Sequence, residues 1–143
     1  MSFNVLLVDD SGAMRAVIKK IVTISGFQMD QCLEAGNGKE AMEVLANNWV
    51  DVIISDINMP EVNGLELLDQ LKKNDVLKEI PVIMITTEGS ADRMQEAFNR
   101  GAKGFIKKPF LPEDIRKTLY QVIGVGENGE YKDDAKSADE CDF

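Results

Sequence analysis

The chain has 143 residues, enough for one domain with an ordinary hydrophobic core. Hydrophobic residues make up 44% and charged residues 29%, a globular balance, and no apolar run nears the ~20 residues that a bilayer span needs. The formal net charge of −9 argues against attraction to nucleic-acid phosphates, and the complete lack of histidine excludes imidazole acid–base catalysis, Ser-His-Asp triads and His-ligated zinc.

Met1-Ser2-Phe3-Asn4 has no basic stretch ahead of an apolar one, so no secretory leader is expected and the expected location is cytoplasmic. Val5–Val8 reads as a strand. Ala13–Ile24 follows with Met14, Val17, Ile18, Ile21 and Val22 at helical spacing, Ser11 available as a cap and Gly26 placed to stop it. Gln28–Glu34 is a weaker strand and Lys39–Leu45 a short helix with Ala41, Met42 and Leu45 on one side. Gly-Asn-Gly-Lys-Glu at 36–40 lacks the upstream glycine and the hydroxyl residue of a phosphate loop, so it reads as a turn into that helix.

Val50–Ser55 is a β-branched strand, Leu65–Leu71 a helix and Pro81–Thr86 a fourth strand. Ala91–Arg100 is a fourth helix, Lys103–Ile106 a short fifth strand, and Pro112–Ile123 a last helix whose proline suits a first turn. Gly124–Gly129 spells GxGxxG but follows a helix, which makes it a hinge. Residues 126–143 hold seven acids against Lys132 and Lys136, a net −5, and form an acidic tail expected to stay mobile. Cys32 and Cys141 lie far apart, the second in that tail, and suggest free thiols in a reducing compartment.

Five β/α units imply an α/β fold with a parallel sheet covered on both faces, and such sheets bind ligands at the carboxyl ends of their strands. Asp9 and Asp10 end the first strand and Asp56 the third. Adjacent strands would hold these carboxylates ~5 Å from one another. Like charges so placed repel unless a cation compensates, and Mg²⁺ takes one or two carboxylates while leaving positions for phosphate oxygens. On the same rim the fourth strand ends at Thr86-Thr87 and the fifth at Lys107-Lys108-Pro109. Taken singly, such an Asp is most often a cap and such a Lys a solvated charge. Together they are the equipment for holding a phosphoryl group.

The segments LLVDDS, VIISDINMPEVNGLELL, VIMITTE and GFIKKPF resemble, in order and spacing, the receiver domain of bacterial two-component response regulators, over residues 4 to about 124. Among these the chain is most similar to single-domain chemotaxis regulators. The resemblance implies a flavodoxin-like (βα)5 fold with strand order 2-1-3-4-5, a receiver domain over 1–125 and the tail over 126–143. It implies Asp56 as phosphoacceptor, served by a phosphohistidine on a sensor histidine kinase. It implies Mg²⁺ held by Asp10, Asp56 and the backbone carbonyl of Asn58, with Asp9 reaching it largely through water.

Thr86 would hydrogen-bond the phosphoryl group, and Lys108, not Lys107, would pair with it; the Lys108–Pro109 bond would be cis. Gly64 would turn the MPEVNG loop into the third helix. Phe105 would be the aromatic that follows Thr86 inward, changing the surface of residues 91–120. Asn58 and Glu88 would tune phosphate lifetime and favour a short one.

The expected function is a phosphorylation-activated switch, not an enzyme, whose target is a flagellar motor switch protein in chemotaxis, with a phosphatase as a further partner. It would act as a monomer, without nucleic acid or membrane. One alternative is a phosphorelay intermediate or phosphate sink. A remote one is a Mg²⁺-dependent aspartyl-phosphate phosphohydrolase, disfavoured because Asp56-Ile57-Asn58 lacks the second acid of D-x-D.

Overall fold

A computed structural model describes residues 2–57, 59, 63–87 and 91–124. Five strands alternate with five helices: β1 (Phe3–Val8), α1 (Gly12–Ser25), β2 (Met29–Ala35), α2 (Gly38–Asn47), β3 (Val52–Ser55), α3 (Gly64–Lys72), β4 (Val82–Thr86), α4 (Ala91–Asn99), β5 (Gly104–Lys107) and α5 (Pro112–Ile123). A 3-10 turn, Leu77–Glu79, precedes β4 and is an element the periodicity does not predict. The strands form one sheet in the order β2-β1-β3-β4-β5, parallel throughout, as the resemblance implies.

The uninterrupted apolar runs are explained by burial on both faces. In β1, Leu6 and Val8 point to one side and Val5 and Leu7 to the other; β3 and β4 divide likewise, with Ile53, Val82 and Met84 against Val52, Ile54, Ile83 and Ile85. The first set packs under α2, α3 and α4 through Ala41, Leu45, Leu67, Leu68, Leu71 and Ala97. The second packs under α1 and α5 through Ile18, Val22, Ile115, Leu119 and Tyr120. Each such aliphatic side chain contributes about 1.5–3 kcal/mol on leaving water, so the strands are fixed from both sides.

Local chemistry sets the helix starts. Ser11 caps α1 by accepting from the Met14 N–H at 3.1 Å, and Asn37 caps α2 through Glu40 N–H at 2.9 Å, which makes the 36–40 glycine segment a turn into that helix. Asn63 and Glu66 form a reciprocal capping box at α3. Gly26 ends α1 with φ +88°, a left-handed conformation that disfavours any residue with a Cβ. Strand β3 starts two residues later than the β-branched run suggests: Val50 is buried, but the Asp51 N–H donates to Asn4 O at 2.9 Å before regular β1–β3 pairing begins. No described helix is long and apolar enough to cross a membrane.

Candidate functional site

The register of the two central strands builds the site. Val8 of β1 sits opposite Ser55 of β3, so Asp9 and Asp56 leave neighbouring strands at the same level. The Asp56 N–H donates to Val8 O at 2.9 Å and the Asp9 N–H to Ala35 O at 3.1 Å, anchoring both backbones to the sheet edge. One carboxylate oxygen from each of Asp9, Asp10 and Asp56 lies within 4.8 Å of the others. The three acids that the sequence places at strand ends therefore form one cluster.

They are not equivalent. Asp9 is buried, Asp56 half-buried and Asp10 exposed. Asp9 Oδ1 accepts from the Ser11 N–H at 2.9 Å, while Oδ2 is buried with no hydrogen bond. The nearest compensation for Oδ2 is the Lys108 ammonium, with Nζ 3.7 Å away. Asp56 Oδ1 accepts from the Ile57 N–H at 2.7 Å, which sets the plane of that carboxylate, and Ser55 Oγ donates to Asp56 O at 2.9 Å. A buried carboxylate oxygen without a donor, beside two further convergent carboxylates, is a donor set that a hard divalent cation fits.

Thr86 ends β4, is buried, and pairs in register with Lys107 of β5. The Lys108 N–H donates to Thr86 O at 2.9 Å, tying the end of β5 to the end of β4. The Lys108–Pro109 bond is cis, as expected. Lys107 is exposed and Lys108 turns to Asp9, so of the two adjacent lysines the second belongs to the cluster. Phe105, two residues before Lys107, is half-buried and packs against the α2–α4 side of the core. Asn58 and Glu88, expected to contribute a carbonyl ligand and to tune phosphate lifetime, lie outside the described residues.

Two residues matter here in ways the sequence reading does not reach. Arg15 of α1 donates through its guanidinium to the backbone carbonyl of Asp9 and through Nε to Glu34 Oε1 at 2.8 Å, bracing the acidic turn from behind. Gly64 is needed for closeness: a Cβ there would lie 2.3 Å from Asp56 O and 2.6 Å from Met84 Cε. Its N–H donates to Ile57 O at 2.9 Å, so the start of α3 is pressed directly on the backbone of the acidic strand end.

Residues 5–120 match the sequence profile of the Response regulator receiver domain. The chain is 42% identical over 124 residues to a chemotaxis protein CheY homolog of Campylobacter jejuni, covering 86% of this chain and 94% of that one. It is 43% identical over 125 residues to chemotaxis protein CheY1 of Helicobacter pylori, covering 87% and 99%. Among solved structures, the chemotaxis response regulator CheY4 of Vibrio cholerae superposes with TM-score 0.75 at 36% identity, covering 85% of this chain and 99% of that one. Sequence, fold and the convergent acids agree: the chain belongs to the response regulator receiver domain family and is a phosphorylation-dependent response regulator.

Proposed function

We propose that the chain is a stand-alone switch in which Asp56 accepts a phosphoryl group from a phosphohistidine of a sensor kinase, and that its target is a flagellar motor switch protein in chemotaxis. The observation that carries this is the cluster of Asp9, Asp10 and Asp56 within 4.8 Å, with Lys108 against Asp9. The chemotaxis assignment is supported by the two curated relatives, which it matches over nearly their whole length.

Asp56, oriented by the Ile57 N–H, attacks phosphorus in line with the imidazole nitrogen; the O–P bond forms as the N–P bond breaks, giving an acyl phosphate. Asp9, Asp10, Asp56 and the carbonyl of Asn58 would hold Mg²⁺, which when bound neutralises charge between carboxylates and phosphoryl oxygens. Lys108 exchanges Asp9 for a phosphoryl oxygen, and the Thr86 hydroxyl donates to another. Phosphorylation adds about −1.5 to −2 charges. Drawing Thr86 toward them frees room for Phe105 to turn inward, and the α4–β5–α5 surface changes with it.

The donor's histidine must reach Asp56, so the donor docks nearby. A groove of about 380 Å³ lined by Met14, Val17, Ile18, Ile21, Pro109 and Phe110 opens beside Lys108, and its apolar lining suits a helix of the kinase. In this reading the chain is no enzyme toward other substrates, works as a cytoplasmic monomer, and loses its phosphate by its own hydrolysis or a phosphatase.

Incubation with a small phosphodonor and Mg²⁺, followed by intact-mass measurement, tests the proposal. A gain of about 80 Da on wild type and none on Asp56→Asn is expected. Turnover of many equivalents of varied phosphate esters would favour a phosphohydrolase instead. Capture of a flagellar switch component by the phosphorylated chain supports chemotaxis, whereas transfer of the phosphate to another protein's histidine would make it a relay.

A further inference from the structure

The face formed by α4, β5 and α5 carries a cleft of about 520 Å³ lined by Phe98, Lys103, Phe105, Thr118, Gln121 and Val122. Its lining mixes polar groups with the apolar side chains of Phe98, Phe105 and Val122, and Phe98 is 40% exposed. Its charge is positive. Lys103 lines it, Lys107 follows on the same side of β5, and Lys117 stands one turn before Gln121 on α5; all three are exposed. Acids on the two flanking helices are engaged elsewhere: Glu96 with Arg100 at 3.1 Å, and Asp114 with the Leu111 N–H at 3.2 Å. Within a chain of net charge −9, this is a local group of lysines around a cleft that exposes aromatic surface.

The occupant it fits begins at its edge. Helix α5 ends at Gly124, two residues beyond Val122, and the chain continues through 126–143 with a net charge of −5. Tyr131 stands within that run, between Glu130 and Lys132-Asp133-Asp134. It is the seventh residue after Gly124, a reach of up to about 24 Å, which spans the short strand β5 with length to spare. We propose that this acidic segment docks in cis on the cleft, its carboxylates against Lys103, Lys107 and Lys117 and Tyr131 against Phe98 and Phe105.

The tether makes weak contacts count. A segment joined so near its site meets it at an effective concentration of about 1 mM, so an interaction too weak to detect between separate molecules is occupied about half of the time. Surface ion pairs of this sort are screened by salt. The docking stands on the cleft alone. Its consequence, that the tail competes with a target for the same face, rests on the reading of α4–β5–α5 as the output surface.

The test uses the full chain with a nitroxide on Ala135→Cys, Cys32 and Cys141 replaced by serine, and amide signals read by NMR without phosphodonor. The docked segment halves the Phe98, Lys103–Lys107 and Gln121 signals, roughly, and they recover in 1 M salt and in Lys103→Glu/Lys117→Glu. Broadening confined to residues next to Gly124, or unchanged by charge reversal and salt, overturns the proposal. So does equal broadening of an isotope-labelled, spin-free chain mixed with a spin-labelled one, which would make the occupant a second copy. The same contact in Asp56→Asn keeps this outcome separate from the phosphoacceptor reading.

Discussion

Lys108 Nζ stands 3.7 Å from Asp9 Oδ2, and both side chains are largely withdrawn from water, 14% and 4% exposed. This ammonium is the compensation for Asp9 Oδ2, a buried carboxylate oxygen with no hydrogen bond. Lys108→Met therefore lowers stability by about 1–3 kcal/mol in urea unfolding, since it strands a buried acceptor beside two other acids. In an Asp9→Asn background the same change costs at least about 0.5 kcal/mol less. A double-mutant cycle showing no coupling would mean that the two groups do not act as a pair.

Three carboxylates in one cluster destabilise the metal-free protein, and a divalent cation reverses that. Asp56→Asn raises metal-free stability by about 1 kcal/mol, because one like charge is removed. Mg²⁺ at 100 times its dissociation constant stabilises wild type by about 2.7 kcal/mol and has little effect on Asp56→Asn. Thermal unfolding with EDTA and with Mg²⁺ reads both effects. A variant that still gained the full Mg²⁺ shift would remove Asp56 from the ligand set.

Gly64→Ala drives a methyl group into the Asp56 carbonyl, where only 2.3 Å is available against fixed backbone. A loss of more than about 2 kcal/mol follows, together with slower phosphorylation as the Asp56 backbone is displaced. Wild-type stability in this variant would show that the loop from β3 to α3 yields more easily than the packing indicates.

Trp49 reports from the wrong end of the sheet. It is 69% exposed, its Nε1–H donates to Asp51 Oδ1 at 3.0 Å, and it precedes β3 whereas Asp56 follows it. Its fluorescence should change little on addition of Mg²⁺ or phosphodonor. Strong quenching would require a change that travels the full length of the strand.

The fold was legible because burial on both faces leaves an unmistakable trace: Val52–Ser55 and Val82–Thr86 have no residue available for solvent. The acids and the Lys107-Lys108 pair were legible for a related reason, since a strand in such a sheet must end at the ligand rim, while the choice of Lys108 over Lys107 came from the family resemblance. Strand order came from the family resemblance and not from periodicity, which carries no information about neighbours. Arg15 was hidden because an arginine on a helix face has the pattern of a solvated charge, and its grip on the Asp9 carbonyl exists only once α1 packs on the sheet.

Gly64 looked like a turn residue, yet what demands it is the closeness of Asp56 and Met84, a contact between segments. The 3-10 turn before β4 depends on Asn74 Oδ1 accepting from the Val76 and Leu77 N–H groups at 2.9 and 3.0 Å, too short a device to register as a period.

The central claim concerns one side chain, and borohydride reduction tests it at the level of the atom. An acyl phosphate is reduced to an alcohol, so a chain treated with phosphodonor and Mg²⁺ and then with borohydride should carry homoserine in place of aspartate at position 56 and at no other acid. Homoserine at position 9 or 10, or no conversion in a chain whose mass has risen by about 80 Da, would contradict the assignment of Asp56 as the phosphoryl acceptor.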